Sequence, residues 1–143
     1  MLFDDTTIDR FWAKVAKNGP LWNGTHCWLW TGARIPNGYG SFGVKGTSQM
    51  GSHRFSYQLA FGEIPSGFEI DHFCRNRPCV NPQHLEAVSH RVNNNRGVGI
   101  TANKARQTHC IKGHPLSLEN IVPSFTRPKS RACLTCHRER NRI

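Results

Sequence analysis

Apolar residues recur at intervals of three or four near the start of the chain. They are Ile8, Phe11, Trp12 and Val15. This spacing places side chains on one face of an α-helix. Thr7 is suited to cap the beginning of the helix, and the pair Gly19-Pro20 is suited to end it. The pattern predicts a short N-terminal helix.

The pattern then changes to large residues that alternate with small or polar ones. The stretch CWLWTGARIPNGYGSFGVKGTSQMGS is rich in glycine and contains the turn pair Asn37-Gly38. Such alternation with tight turns predicts short antiparallel strands. The aromatic residues of these first two segments are expected to pack in the core rather than to stack on bases: Trp12, Trp28, Trp30 and Phe42.

The next stretch, HRFSYQLAFGEIPSG, predicts a second helix. Phe55 and Leu59 lie at i and i+4, Gly62 is placed to end the helix, and Pro65 follows.

A strand, a loop, a strand and a helix are predicted to follow. FEIDH predicts a strand, and CRNRPCVNPQ predicts a loop because its prolines and asparagines interrupt any regular period. HLEAV predicts a second strand, and SHRVNNNRG predicts the start of a helix capped by Ser89. The order is a ββα arrangement, and the predicted fold class is α+β.

Composition limits the class of protein. The chain has 143 residues, of which 37% are hydrophobic, so we expect one modest domain, or one domain with an appendage. No apolar run of about 18 residues is present, which excludes a membrane span. The N-terminus MLFDDTTIDR does not have the pattern of a signal peptide, so we expect the cytoplasm of a bacterium or of a phage-infected cell. In that reducing compartment, the six cysteines favour metal binding over disulfides.

The positive charge is concentrated in the second part of the chain. Residues 1–90 hold eight Lys and Arg against seven Asp and Glu, whereas residues 91–143 hold eleven against two. This distribution predicts a polyanionic partner. An anionic membrane is the weaker alternative, because no basic amphipathic helix with a wide apolar face is present. We predict a first domain over 1–97, a basic linker over 98–108 and a second module over 109–143.

The C-terminal module has four soft ligands in two close pairs. They are Cys110, His114, Cys133 and Cys136. Zn²⁺ takes four such ligands in a tetrahedron, and a segment of this size is too short to bury a core of its own. A structural zinc is therefore predicted, with His109 or His137 as alternatives to His114.

The ββα segment suits metal-assisted cleavage of a phosphodiester bond. Asp71 and Asn93 could hold a hard cation such as Mg²⁺ or Mn²⁺, which takes oxygen ligands. His72 points to the other face of its strand and is placed to take a proton from water as a general base. Asn94 is the alternative to Asn93.

The stretch HRFSYQLAFGEIPSGFEIDHFCRNRPCVNPQHLEAVSHRVNNNRG resembles the HNH endonucleases of the phage and homing type. The flanking stretches CWLWTGARIPNGYGSFGV and C…GHPLSLEN…RACLTC are also similar to those of small phage-encoded members. The resemblance implies a ββα-metal, or His-Me finger, core. It implies Asp71 and Asn93 as metal ligands, His72 as general base, and His84 as the residue that braces the loop. It also implies DNA cleavage that leaves 5′-phosphate and 3′-hydroxyl ends.

The remaining thiols suggest a second zinc site. Cys74 and Cys79 lie in the predicted loop, and Cys27 lies upstream. Together with His84 they would form a Cys3His set that orders a loop with little apolar content. Two alternatives remain at this point: Cys27 could be a small core residue, and His84 could brace the hairpin by hydrogen bonding.

Basic residues around these sites are expected to meet DNA phosphates. They are Arg75, Arg77, Arg91, Arg96, Lys104, Arg106, Arg138 and Arg140. One ββα site cleaves one strand, so a double-strand break would require two chains, as in a homodimer, or two encounters. The alternative function is a zinc-containing DNA-binding or regulatory protein without catalytic activity.

Overall fold

The computed structural model describes residues 3–44, 46, 48–123 and 131–141 of the chain. Thr101 is included as backbone only, and the last two residues of the basic tail HRERNRI lie outside the described part. The chain divides into two compact units, up to Asn93 and from Asn94 onward. No helix in the described residues is long and apolar enough to cross a bilayer.

The first unit is a mixture of short strands and helices. Its elements, in order, are α1 (Asp5–Trp12), β1 (Val15–Ala16), β2 (Leu21–Trp22), β3 (Thr25–His26), β4 (Leu29–Trp30), β5 (Ser41–Phe42), β6 (Met50–Gly51), α2 (Ser52–Phe61), β7 (Phe68–His72), a 3-10 helix (Pro82–His84) and β8 (Leu85–Ser89). The strands form four antiparallel two-stranded sheets: β1 with β4, β2 with β3, β5 with β6, and β7 with β8. The predicted α+β class is confirmed.

The N-terminal helix differs from its prediction at both ends. Asp4, not Thr7, caps α1, because the Asp4 carboxylate accepts hydrogen bonds from the backbone N–H of Thr7 at 2.7 Å and from its hydroxyl at 3.1 Å. Val15 lies beyond the helix and pairs with Trp30 in a sheet. The predicted helical run to Val15 was wrong because a pairing with a distant strand ends it.

Aromatic side chains form the core of the first unit. Phe11 stacks on Trp30 with ring centroids 5.1 Å apart and meets Phe55 at 4.6 Å. The indole of Trp30 needs a glycine at position 40, because a Cβ there would lie 2.5 Å from Cδ1 of the indole. The buried cluster and its flanking residues include the aromatic residues that the pattern assigned to the core: Trp12, Trp28, Trp30 and Phe42.

The β7–β8 hairpin is followed by a helix, which is the predicted order of elements. β7 pairs with β8 in the register Phe68↔Ser89 through His72↔Leu85. Helix α3 (His90–Arg96) follows at once, and Ser89 accepts a hydrogen bond from the backbone N–H of Val92 at 3.4 Å. The second strand begins one residue later than predicted because His84 ends the 3-10 helix that Asn81 caps.

The described residues of the second unit include two further helices. They are α4 (Ile100–Arg106) and α5 (Leu134–Arg140), with a 3-10 turn at Leu118–Asn120 between them. Most of the stretch 98–108, for which a linker was predicted, is therefore helical. Because the division of the chain falls within α3, the boundaries 1–97 and 109–143 stay a prediction.

The core can be tested at Phe55, whose side chain is fully buried among aromatic rings. Phe55→Ala should lower the free energy of unfolding of the chain by about 3–5 kcal/mol, because the aromatic contacts are lost and a cavity remains. Denaturant unfolding measures this change. Phe61→Ala removes a phenyl ring that is 59% exposed and should cost less than about 1 kcal/mol. Equal losses for the two variants would contradict the assigned core.

Candidate functional site

Strand β7 ends with a buried acid and a buried histidine. Asp71 is 7% exposed and His72 is 4% exposed. Oδ1 of Asp71 accepts hydrogen bonds from the backbone N–H of His72 at 2.8 Å and from Nη1 of Arg75 at 2.9 Å. Arg75 adopts a left-handed backbone conformation, φ +54°, which is uncommon outside glycine. The loop therefore turns sharply and brings the guanidinium of Arg75 back to Asp71.

The contacts of His72 define which ring nitrogen carries its hydrogen. Nε2 lies 2.9 Å from the backbone carbonyl oxygen of Cys79. A carbonyl oxygen only accepts hydrogen bonds, so Nε2 bears the hydrogen and Nδ1 bears the lone pair. Burial lowers the pKa of His72. The ring is therefore neutral at neutral pH and has a basic nitrogen, as a general base requires.

Two further rings pack against this histidine. The centroid of His53 lies 5.0 Å from that of His72, and the centroid of Tyr39 lies 5.8 Å from it. Burial, with a smaller contribution from His72, lowers the pKa of His53 to about 3. A Cβ on Gly51 would lie 2.8 Å from Cε1 of His53, so the glycine leaves room for the ring. His53 is thus a buried neighbour of His72.

A second acid on β7 receives two hydrogen bonds from α3. Nδ2 of Asn93 lies 2.6 Å from Oε2 of Glu69, and Nδ1 of His90 lies 2.7 Å from Oε1. Both hydrogen bonds lower the pKa of Glu69, and the bond from Asn93 has the larger effect. Glu69 lies two residues before Asp71, so both side chains emerge from the same face of the strand.

Three cysteines and a histidine converge beside the loop. They are Cys27, Cys74, Cys79 and His84, whose ligand atoms all lie within 4.8 Å of one another. Nδ1 of His84 lies 3.5 Å from Sγ of both Cys27 and Cys79. Ligand atoms at about 2.0–2.3 Å from a tetrahedral zinc stand roughly 3.4–3.8 Å from one another. This cluster could hold zinc.

The outer nitrogen of His84 is also held in place. Nε2 lies 2.7 Å from the hydroxyl of Thr25, so Nδ1 is directed at the thiols. The indole of Trp22 packs edge-on against the imidazole at 5.0 Å and covers it. The pKa of Cys74 is lowered to about 5, mainly by a hydrogen bond from the Cys79 thiol. Cys74 therefore readily forms the thiolate that a metal needs.

The second unit contains the other predicted cluster. Cys110, His114, Cys133 and Cys136 lie with their ligand atoms within 4.8 Å of one another. Nδ1 of His114 is 3.3 Å from Sγ of Cys136, and Sγ of Cys110 is 3.7 Å from the same sulfur. These separations also suit a tetrahedral zinc. Among the described side chains, His114 completes the set that sequence spacing favoured.

Comparison with known proteins identifies the central segment. The sequence model of the HNH endonuclease family matches residues 51–95, which include α2, the β7–β8 hairpin and most of α3. Protein 2.8 of Escherichia phage T7 is 31% identical over 109 residues, covering 76% of this chain and 70% of that protein. The chain belongs to the HNH endonuclease family.

Two further phage proteins are similar to this HNH protein over part of their length. The "Uncharacterized gene 5.3 protein" of Enterobacteria phage T3 is 38% identical over 64 residues, which is 41% of this chain and 62% of that protein. "Protein 7.7" of Escherichia phage T7 is 37% identical over 59 residues, which is 41% of this chain and 45% of that protein. The chain therefore spans less than two thirds of these two relatives. No solved structure matches it.

The predicted DNA-contacting residues are mostly at the surface. Arg77 donates to the carbonyl of Asn37 at 2.7 Å, and Arg106 donates to the carbonyls of Asn95 and Gly97. Arg96 is half-buried. The other predicted phosphate contacts are exposed: Arg75, Arg91, Lys104, Arg138 and Arg140.

Sequence reasoning overlooked two side chains of the site. Glu69 is not part of a recognisable sequence motif, and its partner Asn93 is 24 residues away in sequence. Asn81 was treated only as a loop residue, yet it is buried and donates to the carbonyl of His26 at 2.7 Å. The sequence Asn-Pro is a recognisable start of a helical turn and could have indicated its capping role.

The metal content of the chain tests both clusters. The purified protein should contain about two zinc ions, because each of the two tetrahedral sets offers four N and S ligands. Cys79→Ser should lose about one zinc and keep that of the second unit, and Cys133→Ser should do the reverse. Elemental analysis measures both. One zinc in the unmodified chain, or unchanged content in Cys79→Ser, would contradict the first cluster.

Proposed function

We propose that this HNH protein is a divalent-metal-dependent endonuclease that hydrolyses a phosphodiester bond of double-stranded DNA. The observation that carries the proposal is a neutral, buried His72 whose Nδ1 bears a lone pair, directly after a buried Asp71 on one strand. The proposed products are a 5′-phosphate and a 3′-hydroxyl.

His72 acts in this proposal as the general base. Nδ1 takes a proton from the attacking water, and the resulting imidazolium is stabilised because Nε2 already donates to the carbonyl of Cys79. The rings of His53 and Tyr39 restrict the rotation of the imidazole and limit access of bulk water. The base is therefore oriented before substrate binds.

Asp71 and Asn93 are the proposed ligands of Mg²⁺ or Mn²⁺. A carboxylate oxygen and an amide oxygen are ligands that such hard cations prefer, so the donor set fits. The bound cation would stabilise negative charge on the scissile phosphate and the leaving oxygen. The hydrogen bond between Asn93 and Glu69 keeps Asn93 beside β7, whereas the alternative Asn94 is exposed. This difference favours Asn93.

Arg75 has two roles in the proposal. Its side chain is 52% exposed while its guanidinium pairs with the buried Asp71, so it balances part of the charge of the acid. Because the loop turns back at this residue, the exposed part of the guanidinium is available to a phosphate close to the strand end.

Both zinc ions are structural in the proposal. The direction of Nδ1 of His84 toward two thiols, with Nε2 held by Thr25, supports His84 as a zinc ligand rather than as a hydrogen-bonding brace. Loss of the first zinc would release the loop that carries the carbonyl of Cys79. The second zinc would order a module whose residues Arg138 and Arg140 contact phosphates.

Plasmid cleavage tests the proposed activity. The zinc-loaded chain should nick or cut supercoiled plasmid when Mg²⁺ or Mn²⁺ is supplied. His72→Ala should reduce the rate by roughly a hundredfold to ten-thousandfold, because the general base is lost. Agarose electrophoresis follows the conversion, and sequencing of the ends identifies the products.

The matched control for this assay is His26→Ala, which removes another imidazole of the first unit. His26 is exposed and hydrogen-bonds only to the carbonyl of Gly19 in the described contacts of its ring, so cleavage should be retained. Cleavage unaffected by His72→Ala, or no metal-dependent cleavage at all, would favour the alternative of a DNA-binding protein without catalytic activity.

Salt dependence tests the proposed phosphate contacts. With the His72→Ala chain, which keeps the DNA intact, affinity for a duplex should fall steeply as salt rises. Arg138→Ala and Arg140→Ala should each reduce the slope of log affinity against log salt by about 1. Fluorescence anisotropy at several salt concentrations measures the slope. Glu119→Gln, a neutral replacement in the same module, should not reduce it, and an unchanged slope in both arginine variants would disprove these contacts.

A further inference from the structure

The side chain of Asn93 can present either of two different atoms to a cation. Its amide has an oxygen, which is a ligand, and an NH₂ group, which donates hydrogen bonds and repels a cation. A rotation of the amide by half a turn exchanges the two atoms at little cost in shape. A metal-binding asparagine therefore needs a partner that distinguishes them.

Glu69 is such a partner. Its Oε2 lies 2.6 Å from Nδ2 of Asn93, within hydrogen-bond distance. A carboxylate only accepts hydrogen bonds, so the group that faces it must be the NH₂ group. Oδ1 of Asn93 then lies on the side of the amide away from Glu69. The opposite orientation would bring two oxygens together and is excluded.

The carboxylate is itself held in a defined orientation. Its other oxygen, Oε1, is bonded to Nδ1 of His90 at 2.7 Å, and His90 and Asn93 lie three residues apart on α3. Neighbours at this spacing share one face of a helix. One side of α3 thus contacts both carboxylate oxygens, and Glu69 has little freedom to turn away from the amide.

We propose that Glu69 is a positioning residue that turns the carbonyl oxygen of Asn93 toward a divalent cation shared with Asp71. The inference rests on the proposed function, in which Asp71 and Asn93 hold that cation. It assigns no ligand role to Glu69. Hydrogen-bonded partners of this kind orient metal ligands and affect the affinity for the metal.

A double-mutant cycle on binding of Mn²⁺ to the zinc-loaded full chain tests the inference. An aspartate at position 93 has two equivalent oxygens, so it needs no partner to orient it. Glu69→Ala should therefore weaken Mn²⁺ binding roughly tenfold to a hundredfold in the chain with Asn93. In the Asn93→Asp chain the same change should not weaken Mn²⁺ binding, because either oxygen of the new carboxylate can face the cation and the repulsion from Glu69 is removed. Electron paramagnetic resonance of free Mn²⁺ gives the affinities without any cleavage assay.

The control is Glu86→Ala, which removes a carboxylate from the residue paired with Asp71 on β8. Its effect on Mn²⁺ affinity should be the same whether residue 93 is Asn or Asp, because the carboxylate that accepts the hydrogen bond of the Asn93 amide is that of Glu69. Zinc content and circular dichroism of each variant show that the fold is retained. Dependence of the Glu86→Ala effect on residue 93 would overturn the assignment to Glu69.

The remaining outcomes are also decisive. An equal loss of affinity on Glu69→Ala in both chains would overturn the inference, because it would make Glu69 a ligand or an anchor of the helix. No loss in either chain would overturn it as well. If Asp71→Ala does not weaken Mn²⁺ binding, the proposed cation site itself fails, and this inference fails with it.

Discussion

The conformation of the polar loop between β7 and β8 is the constraint on which the proposed site depends. The loop contains Cys79, whose Sγ lies in the first metal cluster and whose carbonyl accepts the hydrogen bond from His72. One residue therefore connects the two centres. Metal ligation at the sulfur would restrict the position of the carbonyl a few bonds away, and that carbonyl determines which nitrogen of His72 is basic. A structural zinc at this place would affect catalysis without touching substrate.

The framework of the first unit holds the same loop from the other side. The backbone N–H of Val80 donates to the carbonyl of Trp28 at 2.7 Å, and the N–H of Trp30 donates to the carbonyl of Pro78 at 2.9 Å. Val80 is fully buried in the aromatic core. The second half of the loop is thus part of the core, while its first half, with Arg75, is exposed. A rigid half that orients the base and an exposed half that can meet a phosphate is an arrangement suited to a nuclease.

Sequence patterns predicted the elements whose burial follows a local period. Helix α2 was recovered because Phe55 is buried at the position that its pattern requires, whereas β7 was recovered although its last three residues are all buried. The two metal-ligand sets could be proposed because the number and spacing of soft ligands are visible in sequence. The end of α1 could not be predicted from the local pattern, since it depends on the pairing of Val15 with a strand formed later in the chain.

The contacts that orient the site are harder to predict than its members. The partner of His72 is a backbone carbonyl, and any residue type would supply one. The partner of Asn93 is Glu69, an acid on a strand that resembles any solvent-facing acid in sequence. Tertiary proximity alone gives these groups their roles, because neither contact joins residues at a helical or strand spacing. The family resemblance supplied names for the ligands but not for the groups that orient them.

The charges at the strand end are unusual for a protein expected to bind DNA. Glu69 and Asp71 lie on one face of β7, and two carboxylates would repel a phosphodiester. In the structure Arg75 offsets the charge of one acid, and His90 donates to the other. Arg75 and His90 cannot supply the charge of a divalent ion, because Arg75 is half exposed and water screens its charge. In the proposed function, the two acids would therefore make phosphate binding at this face dependent on a cation, and substrate binding would be linked to the metal that the reaction needs.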